Sequence, residues 1–101
     1  MAVLCISYDL VENEGPHYSA LIAAIKNVPY CHVVESTWLI DTTSSPKEVV
    51  EELTKYLNPD DEVIVLVVQP GIWWSHGLSL AKRTWLNYWL SGIGNPPPNV
   101  D

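Results

Sequence analysis

The sequence predicts an α+β fold in a single domain, and three observations carry that prediction. Two apolar runs of strand length, Val3 to Ile6 and Val63 to Val68, stand near the two ends of the first two thirds of the chain. Two segments between them repeat apolar residues at helical spacing. The segment "YCHVVESTWLIDT", rich in β-branched and aromatic residues, separates those two helices.

The first strand is "MAVLCISYD". Its continuous apolar run reads as a strand buried on both faces, and it ends on a carboxylate, Asp9. "LVENEG" follows as a polar, acidic loop. Pro16 then sits where a first helical turn accepts a residue without an amide hydrogen, and Tyr18, Leu21, Ile22, Ile25 and Val28 form one apolar stripe. "YCHVVESTWLIDT" is either one bent strand or two short ones broken near Glu35 and Ser36. Ser45, Pro46 and Glu48 mark the start of the second helix: a serine cap, a proline at the first helical position and a glutamate placed to close a capping box. Val49, Val50, Leu53, Tyr56 and Leu57 supply its buried stripe, and "NPDD" stops it. Glu62 to Val68 is the last strand.

With right-handed crossovers, this order gives a ferredoxin-like, split βαβ sandwich, in which both helices lie on one face of an antiparallel sheet. The opposite face needs a cover. A third, C-terminal helical segment is rich in tryptophan: Leu78, Trp85, Leu86 and Trp89 share a side, with Trp73 and Trp74 just before it. Aromatic mass of this kind either closes the sheet of its own chain or forms a subunit interface, for which Trp73, Trp74, Trp85 and Trp89 are the candidates. Residues 1–94 are expected to form the domain, and residues 95–101, "NPPPNVD", a flexible tail with no means of packing.

Composition narrows the function classes. The chain has 101 residues, of which 48% are hydrophobic, so disorder is set aside. No apolar run reaches the length of about 18 residues needed to cross a bilayer, and the N-terminus lacks a signal pattern; a cytoplasmic protein with no membrane association is expected. Cys5 and Cys31 lie in strand-like segments without zinc-site spacing and read as small buried hydrophobes. The net charge is −7, with Lys26, Lys47, Lys55, Lys82 and Arg83 as the fixed positive residues. That balance argues against a nonspecific grip on nucleic acid, which needs clustered cations to displace phosphate counterions. His17, His32 and His76 form no metal-ligand pair, and no phosphate loop or nucleophile elbow is present. The acidic clusters Glu51-Glu52 and Asp60 to Glu62 read as solvated surface.

"CISYDL" at the end of the first strand, "VVESTWLI", the second amphipathic helix and "DDEVIVLVV" together resemble the CRISPR-associated protein 2 superfamily, and more closely its SinR-like relatives. The likeness covers roughly residues 1 to 70 and leaves out the tryptophan-rich end. It implies a homodimer in which Asp9 of each subunit faces the other across the two-fold axis and holds magnesium, acting as catalytic residue and metal ligand of an endonuclease on RNA or DNA. Magnesium keeps most of its waters and needs only one or two protein carboxylates. Ser36 matches the family's second-strand serine and is implied to orient a metal-bound water. Where the family commonly places an arginine early in the first helix, this chain has Pro16, His17 and Tyr18. Read from its local sequence alone, Asp9 is expected first of all to cap amides of the following loop. The alternative function is a non-catalytic dimeric binding or assembly module that keeps the fold and uses its aromatic segment to recruit a protein partner.

Overall fold

A computed structural model describes residues 2–101. Its elements are β1 (Ala2–Asp9), α1 (Pro16–Ile25), β2 (Tyr30–Val34), β3 (Thr37–Thr42), α2 (Pro46–Thr54), β4 (Glu62–Val67) and α3 (Leu80–Ser91). The four strands form one antiparallel sheet in the order β2-β3-β1-β4. β1 and β2 therefore run in the same direction with β3 inserted between them. The fold is α+β, as the element pattern predicts.

The segment between the helices is two strands. Glu35 and Ser36 form the tight turn between them, and a register irregularity lies between His32 and Val34. Along β1 the side chains alternate between two clusters, which explains the unbroken apolar run. Leu4 and Ile6 enter a core with Leu21 and Ile25 of α1, Trp38 and Ile40 of β3, Leu53 of α2 and Val65 of β4. Val3 and partly buried Cys5 face the other way, toward Cys31, Leu39, Trp85, Leu86 and Leu90.

α2 starts as its sequence predicts. The Ser45 hydroxyl accepts the Glu48 amide at 3.1 Å, and the Glu48 carboxylate accepts the Ser45 amide at 2.9 Å. Both bonds satisfy first-turn amides that have no partner within the helix. α3 is capped by Ser79, whose hydroxyl accepts the Lys82 amide, and it ends at Gly92 in the left-handed region (φ 68°), where a side chain would be strained.

α3 covers the second sheet face from within the chain. Trp85 is fully buried, beside Leu86 and Leu90. Trp73 is half-buried, its ring nitrogen donating to Ser91 Oγ at 3.0 Å, whereas Trp74 is 96% exposed. Of the four tryptophans expected at an interface, Trp85 is thus committed to the chain's own core, and Trp74 is the one presented outward.

The C-terminal residues correct the expectation of a free tail. Val100 forms a parallel bridge with Cys31: its carbonyl accepts the His32 amide at 2.8 Å and its amide donates to the Tyr30 carbonyl at 3.1 Å. Asn99 accepts the Tyr30 amide, and Asp101 takes the Tyr30 hydroxyl and the Lys26 ammonium, each at 2.8 Å. The reason is β2. It lies at the edge of the sheet with unpaired backbone groups, and residues 99–101 satisfy them. No helix among the described residues is long and apolar enough to cross a membrane.

Candidate functional site

Asp9 closes β1 at the end of the sheet where the β2–β3 turn approaches. The Tyr8 amide donates to the Ser36 carbonyl at 3.1 Å, which ties that turn to the end of β1. Asp9 and Ser36, paired in the sequence reading, consequently line one small cleft of about 210 Å³, together with Tyr8, Asn13, Tyr18 and Glu35.

Tyr8 supports this corner from the core side. Its hydroxyl accepts the Trp38 indole N–H at 2.9 Å. Burial raises the pKa of the phenol, while the Trp38 bond works in the opposite direction, so Tyr8 stays a neutral hydroxyl at physiological pH. His32 stacks on Trp38 with ring centroids 3.9 Å apart, and its Nε2 bonds the Glu35 carbonyl at 2.8 Å. That histidine braces the turn.

The Asp9 carboxylate itself is exposed and has no hydrogen-bond partner among the described residues. In the loop that follows, the Val11 amide donates to Asp61 Oδ1 at 2.7 Å, and Asp61 Oδ2 accepts the Asn58 amide at 2.7 Å. Asp61 therefore does the tying that the sequence offered to Asp9, and it is structural where the Asp60 to Glu62 cluster read as solvated surface. The "NPDD" turn was the available signal, because aspartate in such turns commonly accepts backbone amides.

Asp9 stands opposite Glu62 in the β1–β4 ladder. Like charges directly opposite one another are unfavourable, and a bound cation relieves that repulsion. Ser7, Asp9, Glu62 and Ile64 line a shallow depression of about 340 Å³ on this part of the sheet. Among the described residues, no group of three or more histidines, cysteines, aspartates or glutamates converges to enclose a metal. Asp9 and Glu62 are thus two neighbouring oxygen donors, the ligand type that a hydrated magnesium ion takes.

Farther along the sheet, β4 leaves an apolar stripe uncovered. Ile64 and Leu66 are each 54% exposed although they pair with Ser7 and Cys5 in the sheet. α3 packs nearest β2, so its cover stops short of this half. The outer edge of β4 also has no strand partner among the described residues. The sequence shows β4 as an apolar run but gives no sign of which half of it stays open.

No protein-family model matches the chain, and no curated protein or solved structure matches it either.

Proposed function

We propose that the chain is a ferredoxin-like subunit of the CRISPR-associated protein 2 type that works as a homodimeric binding and assembly module. The observation that carries this reading is the open β4 edge with Ile64 and Leu66 beside it. A second copy pairing antiparallel along β4 continues the sheet, satisfies the edge backbone groups and sets its own Ile64 and Leu66 beside those of the first copy. The strand order, with β3 between two co-directional strands, supports the ferredoxin-like assignment. The net charge of −7 favours a protein partner over a polyanion. Light scattering after size-exclusion chromatography tests the dimer: about twice the monomer mass is expected for the wild type and the monomer mass for Leu66→Lys. A monomeric wild type at working concentration overturns the reading.

A second reading, a magnesium-dependent endonuclease, is favoured by one specific observation: Asp9 is free of structural bonds, faces Glu62 and shares a cleft with Ser36. In that reading Asp9 and Glu62 hold the ion, and Ser36 orients a water at the cleft. The bound metal would activate that water and polarise a phosphate. Cleavage of short single-stranded RNA and duplex DNA with Mn²⁺ is expected to fall to background in Asp9→Asn. Equal cleavage by wild type and variant, or none by either, removes this reading and leaves the dimeric module standing.

A further inference from the structure

The outer face of α3 carries a cleft that neither reading uses. The loop from Gly71 to Ser75 folds over the helix, held by the Gly71 amide donating to the Leu90 carbonyl at 2.7 Å and by the Trp73 bond to Ser91. Between loop and helix lies a volume of about 530 Å³, within the range of small-molecule sites. Its walls include Trp73, Trp74, Ser75, Arg83, Asn87 and Ser91.

Three features of this cleft are out of keeping with an inert surface. Trp74 is 96% exposed, so a whole indole face stands in water beside the opening. Arg83, the single arginine of the chain, has no carboxylate partner among the described residues, although the chain holds twelve aspartates and glutamates and three of its lysines are paired. Arg83 and Lys82 also occupy the first turn of α3, with no acid there to offset them. Cations at that end oppose the ordinary preference of a helix, whose N-terminus favours negative charge. The result is a local positive field in an otherwise acidic molecule.

We propose that this cleft binds a nucleoside monophosphate. Each part of that ligand finds a matching group. The Trp74 indole offers a stacking face for a base, an interaction that tolerates any base because each has a π-face. The Arg83 guanidinium is shaped for two-point contact with a phosphate. The Asn87 amide supplies both a donor and an acceptor for a base edge, and Ser75 and Ser91 line the same space. A neutral sugar makes no use of the unpaired cation. A long polyanion meets one arginine in this cleft and a net charge of −7 beyond it. The site is independent of the β4 dimer and of Asp9.

Isothermal titration calorimetry of the full chain with AMP, GMP, CMP and UMP tests the assignment. Saturable binding is expected, weakened about five- to 150-fold in Trp74→Ala, the fold-change equivalent of a stacking contribution of about 1–3 kcal/mol per base, and comparably in Arg83→Gln. The corresponding nucleosides are expected to bind as weakly as Arg83→Gln binds the monophosphates, and monophosphate binding to weaken as ionic strength rises. Both side chains are exposed, so the variants should keep the wild-type melting temperature. Absence of saturable binding at millimolar nucleotide overturns the proposal. So does binding unchanged in both variants, or tighter binding of a neutral disaccharide, of an acidic peptide or of an oligonucleotide.

Discussion

Asp41 shows how one residue departs from what its neighbours in sequence prescribe. It sits in β3, is 4% exposed, and its Oδ2 has no hydrogen-bond partner. Burial raises its pKa above the ordinary carboxylate value of 3.8. The folded state therefore binds this proton more tightly than the unfolded state does. Stability contributed by the protonated acid is present below pH 3.8 and declines as pH rises through the raised folded value. Asp41→Asn is expected to stabilise the protein by about 1 kcal/mol at neutral pH, the scale of one unsatisfied buried polar group. That gain should vanish below the window; urea melts of both proteins at pH 7 and pH 3 check it. Asp9 is the converse case. The sequence identified it as the acid at a strand end, but only the bond from Val11 to Asp61, fifty residues away in sequence, frees it from a structural task. No local signal reports which of two acids a distant amide will choose.

Among the elements, α2 was legible almost to the residue, because a capping box is a contact between positions three apart. β2 and β3 were legible as strand-forming sequence with a break at Glu35-Ser36 as one of two alternatives, and the choice stayed open because that turn lacks the glycine or asparagine that usually announces a hairpin. The C-terminal residues were misread for a different reason. A polar, proline-rich end has no periodicity, and its pairing depends on an edge strand about seventy residues earlier. Deleting residues 99–101 removes the Tyr30, His32 and Val100 backbone bonds, and a loss of about 1–3 kcal/mol is expected after the entropy regained by the freed end is set against them. Hydrogen exchange should quicken at His32, whose amide has Val100 as its acceptor. If the exchange rate of that amide is unchanged, the pairing is absent in solution.

At the scale of the molecule, one sheet serves two cores. All four strands contribute to the cluster under α1 and α2, β2 through Tyr30, while β1, β2 and β3 also contribute to the cluster under α3. Because the strands are shared, loss of either cover exposes apolar sheet that the other cannot reach. Unfolding is therefore expected as one cooperative transition, with tryptophan fluorescence and far-ultraviolet circular dichroism coinciding. Trp85→Ala should shift that single transition by about 3–5 kcal/mol, the range for deleting a fully buried aromatic. Two separated transitions, with the variant affecting only the fluorescent one, would show α3 to be an appended layer instead of part of the core.

By itself the sequence determined the order of the elements, the capped start of α2, the two-sided burial of β1 and the net charge of −7. Those features arise from contacts within a few residues, from periodicity or from summed charge. Only the tertiary structure decided that α3 covers the β2 half of the sheet and leaves Ile64 and Leu66 open. It likewise decided that Asp61 releases Asp9, that the chain end pairs with β2, and that Trp74 and Arg83 share a cleft. Each of these joins groups far apart in sequence, or turns on how the loop before α3 folds back over it. Such pairings are selected by packing and by the need of buried or edge backbone groups for partners, which no local pattern encodes.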